Sequence, residues 1–405
     1  GDKLDVSGND MLLWWERDGL TRLAILYIES FGNPRKFART ARRVSGTMPV
    51  LTVQADTAAS QALFEQAGVI TTRGFGELVE AAALLATQPV PAGRTVAIVS
   101  NVGSAAQLAA DACADRGLSV YHPHGQARRR LRTLIPAGTV TGPVEPTTPV
   151  SAEAYRQCLK LLAADEQVDA IVAIALPTGA TGDLEAAIQA ADVRVPLAAV
   201  VLTQPEFVRL LNDRVPAYGS PEAAVRALAR AAGYGAWRAA PRGQVPILPD
   251  VRTEAARALV RERTGWLGPA QAAELLSCYG IPLADLAPPG PQVKVRVAGD
   301  RVFGPLVTVE AGDSSRTARF TPLTDVDAAY LVESHPSADP GALPDRGDPS
   351  PRTPLADLLL RVSRLADDLP EVTELDLDLG GAAVINARVK VEPYQPLDPF
   401  LRKLR

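Results

Sequence analysis

Cysteine, histidine, methionine and lysine are all scarce in this 405-residue chain, and the scarcities close off several classes of chemistry. The three cysteines, Cys113, Cys158 and Cys278, stand far apart, with neither CxxC spacing nor the density of a disulfide framework, so reduced thiols in a cytoplasmic setting are expected. Of the three histidines, His122 and His124 flank Pro123 and His335 falls in a polar stretch. None has metal-ligand spacing, and surface positions are expected for all three. Lysine is confined to Lys3, Lys36, Lys160, Lys294, Lys390 and Lys403, which leaves few ammonium groups to grip phosphate. No signal peptide is recognisable and the longest apolar runs are far too short to cross a bilayer, so no membrane partner is expected. A net charge of −4 argues against a nucleic-acid binder held by a strongly basic surface. Nucleophile-elbow, P-loop and HExxH motifs are absent.

What remains is ample for about two to four domains of ordinary globular composition. The first stretch, residues 1–92, predicts helix (Asn9 to Asp18), strand (Leu23 to Ile28), helix (Pro34 to Val44), strand (Val50 to Val53) and two more helices, Thr57 to Ala67 and Phe75 to Thr87. Its strands are continuous apolar runs, as in a parallel sheet covered on both faces. Residues 93–240 repeat the design: TVAIVSN (Thr95 to Asn101) enters a helix closed by Gly117, and DAIVAIALPTGATGDLEAAI (Asp169 to Ile188) reads as strand, Pro-Thr-Gly turn and helix. VPLAAVVL (Val195 to Leu202) adds a strand. This alternation predicts a doubly wound α/β layer, flavodoxin-like or Rossmann-like. After a proline-rich linker (Arg238 to Pro249), residues 250–405 read as an α+β unit with few strands for its length. It holds VKVRV (Val293 to Val297), VFGPLVTVE (Val302 to Glu310), a helix (Leu355 to Leu369) and a hairpin (Glu374 to Val391). Residues 335–354 are expected to be loop.

Four places carry candidate chemistry. Strand Leu23–Ile28 ends at Glu29, before the turn Ser30-Phe31-Gly32-Asn33-Pro34 and a basic helix. Ligands bind at the carboxyl ends of strands in doubly wound sheets, so Glu29 can orient a cationic or imidazole partner while an anion sits on the helix. The turns Ser100-Asn101-Val102-Gly103-Ser104 and Pro177-Thr178-Gly179 offer free N–H groups at helix starts, which favours phosphate or carboxylate; simple capping is the competing reading. Glu374, Asp376 and Asp378 alternate along one strand face, and Asn386 can come opposite them on the returning strand. Such oxygens suit Mg²⁺ with nucleotide phosphates, or form a solvated strand face. The run Arg128-Arg129-Arg130 with Arg132 is either an anion grip or one solvated helix face. Trp14, Trp15 and Trp237 are expected to be packing residues.

The stretches GDKLDVSGNDMLLWWERD, YIESFGNPRKFARTARRV, ALFEQAGVI and VAIVSNVGSAAQLAADACADRGL resemble the NDP-forming acyl-CoA synthetases, relatives of succinyl-CoA synthetase. So do LLSCYGIP, VFGPLV, TPLTD, LLLRVSRLADDLPEVTELDLDL and DPFLRKLR, in order along nearly the whole chain; the closest flavour is the actinobacterial type fused to a GNAT protein lysine acetyltransferase. The resemblance implies two flavodoxin-like (succinyl-CoA synthetase-like) doubly wound parallel-sheet domains and a partial ATP-grasp α+β domain. It implies ATP or ADP, Mg²⁺ and coenzyme A or acyl-CoA as cofactors, a GNAT domain in the same parent chain as partner, and a homo-oligomer. Carried over by position, Glu29 matches the carboxylate that pairs with a phosphorylated histidine. Ser100, Asn101, Gly103 and Ser104, with Thr178 and Gly179, match the phosphate-holding helix starts, Asp376 the acidic residue at the nucleotide end, and Asp378 and Asn386 the Mg²⁺ ligands.

The departures are equally specific. Where the family carries a loop with its phosphorylated histidine, this chain runs from Gln54 to Thr57 through Ala55 and Asp56 alone, which leaves phosphate relay without a carrier. A block of ATP-grasp is absent between Leu286 and Val293, Lys294 stands where an acidic residue is usual, and the glycine-rich loop is reduced to Ala311-Gly312-Asp313. The family's CoA-binding Rossmann domain, which normally comes first, is not in this sequence. Three readings follow: a region that binds acyl-CoA or ATP-Mg and regulates acyl transfer, an active ADP-forming synthetase, or an oligomerisation scaffold.

Overall fold

Ser7 starts the first helix, α1 (Gly8–Trp15), with a capping box: its hydroxyl accepts the Asp10 N–H at 3.4 Å, and the Asp10 carboxylate accepts the Ser7 N–H at 2.9 Å. The helix stops three residues short of the predicted Asp18, because Asp18 Oδ1 accepts the N–H groups of Leu20 and Thr21, both at 2.9 Å, and turns the chain. There follow β1 (Ala24–Leu26), α2 (Pro34–Ser45), β2 (Val50–Val53), α3 (Ala58–Ala67), β3 (Ile70–Thr72) and α4 (Phe75–Thr87). The three strands form a parallel sheet in the order β1-β2-β3. The computed structural model describes residues 6–27, 34–53, 58–284, 292–300, 304–312, 316–335, 353–381 and 383–393. Glu29 and its turn, and the stretch from Gln54 to Thr57, lie outside the described residues.

The second unit runs β4 (Thr95–Ser100), α5 (Gly103–Asp115), β5 (Ser119–Val120), α6 (Gly125–Leu134), β6 (Thr139–Val140), β7 (Val144–Glu145), α7 (Ala152–Ala163), β8 (Ala170–Ala175), α8 (Leu184–Gln189), β9 (Leu197–Val201), β10 (Val208–Leu211), β11 (Val215–Tyr218) and α9 (Pro221–Ala239). Its sheet order is β10-β11-β9-β8-β4-β7-β6, with β5 also paired to β4, and β4 runs parallel to both β8 and β7. Alternate residues of the central strands feed two cores. Val96, Ile98, Val172 and Val200 pack under α5 and α9, while Ala97, Val99, Ile171 and Ala173 pack under α7 and α8. Both faces are covered, so the strands read as unbroken apolar runs. Helix α4 belongs to the same layer as α9. Buried Glu80 accepts two bonds from Arg226, at 2.8 and 2.7 Å, and Arg230 pairs with Glu77. Burial raises the Glu77 carboxyl, but the Arg73 N–H and the two guanidinium groups outweigh it and hold it below its ordinary value.

The third unit corrects the expectation of few strands. It contains α10 (Thr253–Val260), β12 (Gly265–Trp266), α11 (Pro269–Ser277), β13 (Gln292–Asp300), β14 (Gly304–Ala311), β15 (Thr317–Phe320), α12 (Asp325–Glu333), α13 (Pro354–Asp368), β16 (Val372–Gly380) and β17 (Ala383–Val391). All six strands join one antiparallel sheet, ordered β12-β17-β16-β13-β14-β15. The two strands that the sequence hid, β12 and β15, are short edge pieces beside glycine and proline. Helices α10 to α13 cover one face only, over a core that includes Val295, Val307, Leu359, Leu375 and Leu377. The other face packs against the first unit at β14 and β15, through Leu306 and Phe320, and meets solvent along β13, β16 and β17.

Two further expectations change. His335 is fully buried at the end of α12, where its Nε2 lies 2.8 Å from Thr317 Oγ1, because β15 folds back beneath that helix. Trp14 is 67% exposed, whereas Trp237 stacks on Tyr234 with ring centres 6.4 Å apart. The three cysteines are free and buried, and burial pushes Cys113 up to about 11 and Cys158 up to about 12, so neither is a thiolate nucleophile at neutral pH.

Candidate functional site

Two regions collect the chemistry that the sequence singled out. The first is the carboxyl edge of the central parallel strands, where β4 and β8 lie side by side. Ser100 is buried; its hydroxyl donates to Val102 O at 2.8 Å and accepts the Val102 N–H at 3.1 Å. Asn101 is also buried, and its side chain ties one turn to the other: Nδ2 donates to Leu176 O and Oδ1 accepts the Leu176 N–H, both at 2.9 Å. These two side chains are therefore engaged in shaping the edge. Gly103 and Ser104 are exposed at the start of α5, whose N-cap residue Val102 makes no side-chain cap bond. The helix thus presents backbone N–H groups and its positive pole outward.

The second turn is built differently from the expectation. Thr178 and Gly179 are exposed but do not open a helix; α8 starts only at Leu184, capped by the Asp183 carboxylate on the Ala186 N–H at 2.9 Å. The Thr178 N–H donates to Thr181 Oγ1 at 3.0 Å, and that hydroxyl donates back to Thr178 O at 2.9 Å. The turn satisfies itself and supplies a hydroxyl rim. Sequence reasoning also passed over Glu145, at the end of β7. A Cβ built on Gly103 would stand 3.0 Å from Glu145 Oε2, so a carboxylate borders the start of α5. No spacing in the sequence signals this, because it depends on β7 lying beside β4.

The second region is the open face of the antiparallel sheet. Leu375, Leu377 and Leu379 point into the core, so Glu374, Asp376 and Asp378 share the outer face, as the alternation predicts. Asn386 lies opposite Asp378 in register, and its Nδ2 donates to Asp378 Oδ2 at 3.0 Å. The neighbouring strands bring cations that sequence reasoning missed. Arg296 of β13 pairs with Asp376 at 3.2 Å, and Lys390 of β17 pairs with Glu374 at 2.9 Å. The hydrogen bonds that its ammonium donates to the Glu374 and Glu392 carboxylates hold Lys390 above the ordinary lysine value. Arg388, opposite Asp376, lies with its guanidinium carbon 4.4 Å from the centre of the Trp266 ring. Lys294 is opposite Asp378 on β13. Period-two spacing is the signal that would put Lys294 and Arg296 on one face; the order of strands does not follow from it.

A metal at Asp378 and Asn386 finds one carboxylate and one amide, and no group of three or more His, Cys, Asp or Glu that could hold an ion occurs among the described residues. That donor set fits Mg²⁺ shared with nucleotide phosphates and water, not an all-protein cage. Turning the Asn386 amide over would present its oxygen to the ion. The remaining candidates divide. Arg128, Arg129, Arg130 and Arg132 are exposed along α6, a solvated face without an ion pair among the described residues. His122 and His124 are exposed, with Nδ1 of His122 2.8 Å from Thr141 O.

Comparison with known proteins matches both ends of the chain. Residues 1–62 fit the succinyl-CoA ligase like flavodoxin domain, and residues 283–391 fit the ATP-grasp domain. The alpha subunit of acetate–CoA ligase [ADP-forming] I from Pyrococcus furiosus is 25% identical over 59% of this chain and 58% of that protein. Acetate–CoA ligase [ADP-forming] I from Archaeoglobus fulgidus is 27% identical over 70% of this chain and 45% of that protein. The chain is similar to the ADP-forming acetate–CoA ligases over part of its length. It carries a succinyl-CoA-ligase-like flavodoxin domain and an ATP-grasp domain, and it spans about half the length of the curated relatives it matches. The fold agrees. The apo dinucleotide forming acetyl-coenzyme A synthetase 1 of Candidatus Korarchaeum cryptofilum superposes with a TM-score of 0.54 at 23% identity, over 59% of this chain and 58% of that one. A Pyrococcus horikoshii OT3 protein superposes with a TM-score of 0.52 at 26% identity, over 58% and 57%. No helix among the described residues is long and apolar enough to cross a membrane.

Proposed function

We propose that this chain is a nucleotide- and acyl-CoA-binding region of the NDP-forming acyl-CoA synthetase type, and that it regulates acyl transfer by a GNAT-type protein lysine acetyltransferase instead of relaying phosphate itself. One observation carries the reading. The stretch between Gln54 and Thr57 holds only Ala55 and Asp56, and the chain's three histidines stand elsewhere: His335 is buried against Thr317, His122 is bonded to Thr141, and His124 lies in the same loop with Nδ1 3.3 Å from His122 O. A phosphoryl group therefore has no imidazole in this chain placed to carry it between two sites.

In this reading Asp378 and Asn386 would hold Mg²⁺ together with the phosphates of ATP or ADP, while Asp376 fixes the Arg296 guanidinium beside the polyphosphate and Arg388, lying over the Trp266 ring, flanks it on the other side. The bound ion neutralises phosphate charge. The N–H groups of Gly103 and Ser104 receive an anionic group of CoA or an acyl phosphate, Thr178 and Gly179 form the rim, and Ser100 and Asn101 keep the two turns in register. Glu29 orients the cationic side of whatever binds at the first sheet. The three buried, unpaired thiols suit a cytoplasmic protein, and exposed Trp14, Leu20 and Tyr27 offer apolar surface for a homo-oligomer.

The test is calorimetry with Mg²⁺–ATP and acyl-CoA, paired with an assay for acyl-CoA formation from ATP, acid and CoA by the intact protein. Binding without turnover is the expected result. Robust turnover favours a second reading, an active ADP-forming synthetase, to which the named activities of the Pyrococcus and Archaeoglobus relatives point. In that case Glu29→Gln abolishes turnover while leaving the fold intact. Neither binding nor turnover leaves the scaffold.

A further inference from the structure

Helix α3 belongs to the first unit, yet it closes the free edge of the six-stranded sheet some 250 residues away in sequence. The Gln66 amide carries one donor and one acceptor group, like a peptide unit, and uses both on one residue of β15. Its Oε1 accepts the Phe320 N–H at 3.0 Å and its Nε2 donates to Phe320 O at 3.2 Å. A side chain thus takes the place of the next strand at an edge whose backbone groups would otherwise be open. One residue back, Arg319 is nearly buried. Its guanidinium carbon lies 3.8 Å from the centre of the Tyr330 ring, and Nη1 lies 3.4 Å from Glu65 Oε2 of α3. Leu63 and Phe64 share one core with Leu306 and Phe320 of the sheet and with Leu26 and Val50 of the first parallel sheet.

The two ends of α3 therefore serve different regions. Its start follows the carboxyl end of β2, on the edge where ligands bind in parallel sheets, separated from Val53 only by residues 54–57. Its end grips β15, which is joined through β14 and β13 to the Asp376 and Asp378 strand. A ten-residue helix is a rod about 15 Å long. We propose that the junction of α3 with β15 is a fixed strut through which the open face of the antiparallel sheet and the ligand edge of the first parallel sheet stabilise one another. Ordering either end then lowers the cost of ordering the other, and by linkage the effect is reciprocal. The strut itself does not depend on the nucleotide reading; only its use by a ligand rests on that reading.

Hydrogen exchange followed by mass spectrometry on the full chain tests it. Gln66→Ala, in the first unit, should speed exchange of the β14 and β15 amides about fivefold, and Arg319→Met, in the third, should speed exchange across α3 by a similar factor. Exchange in β8 and β9 of the second unit should not change. Faster exchange confined to the mutated element in both variants overturns the strut. Gln66→Glu keeps the size of the side chain while removing the donor, so the result stands even if the alanine variant folds poorly. A second arm adds Mg²⁺–ADP, with calorimetry on the same samples. Slower exchange in α3 of the wild type, lost in Gln66→Glu at unchanged affinity, supports the coupling, and binding that leaves α3 unaffected overturns it. If Mg²⁺–ADP fails to bind, the nucleotide reading falls, and the ligand-free exchange alone decides the strut.

Discussion

The edge of the parallel sheet and the face of the antiparallel sheet put polar groups to opposite uses. At the edge, the side chains with the most suggestive chemistry, Ser100 and Asn101, are buried and bonded to backbone, so the outward chemistry falls to N–H groups of α5 and to the exposed Gly103 and Ser104. On the face, the backbone is engaged in the strand ladder, and the chemistry is all side chain: carboxylates on β16 flanked by cations on β13 and β17. A doubly covered parallel sheet leaves only the strand ends open, whereas a sheet covered on one side leaves every second residue in water. The first region is thus built from the fold, and the second is mounted on it.

That contrast sets the order of effects. Asn101→Ala strands the Leu176 N–H and C=O at a half-buried turn, and should cost about 2 kcal/mol in chemical denaturation, since each orphaned group carries part of its desolvation penalty. A cost below about 0.5 kcal/mol would mean that the two turns are not held by this side chain. Asp378→Ala should leave stability within about 0.5 kcal/mol but weaken Mg²⁺–nucleotide binding about tenfold in calorimetry, as loss of one carboxylate ligand does. Unchanged binding would make the hairpin a wet surface and erase the functional half of the comparison.

His335 gives a pH test within the third unit. Burial lowers its imidazole below the ordinary value, so the unfolded chain takes up a proton before the folded one does. Stability should be complete above the ordinary value of about 6.5 and fall as pH drops below it, toward the lowered folded value. Thermal melts from neutral to mildly acidic pH should show this, and His335→Gln should flatten the slope. A slope unaltered by the substitution would assign the acid sensitivity to other groups. The smallest effect belongs to the exposed pair Arg296–Asp376: a double-mutant cycle should return less than about 1 kcal/mol of coupling in stability. A larger value would make the open face a structural element in its own right.

Much of this was legible in the residues. Period-two alternation put Glu374, Asp376 and Asp378 on one face and allowed Asn386 to meet them, and the apolar runs of β4, β8 and β9 announced a covered parallel sheet. The Thr178–Gly179 turn reads in sequence as a helix start because it is the first Pro-Thr-Gly after a strand, yet the helix begins only at Leu184. The better signal was Asp183, an N-cap type followed by Leu-Glu-Ala-Ala-Ile. The sequence around His335 is polar and points to the surface, while what buries it is β15, a four-residue edge strand too short to show a pattern.

Local sequence fixed which side chains share a face, where helices begin and which strands are buried, because those depend on neighbours three or four residues away. Only the tertiary structure decided which charges meet. Arg296 reaches Asp376, Glu145 borders Gly103, Asn101 clasps Leu176 and Gln66 closes β15 because strand order and helix docking bring together groups from about 40 to 250 residues apart, which no local spacing encodes.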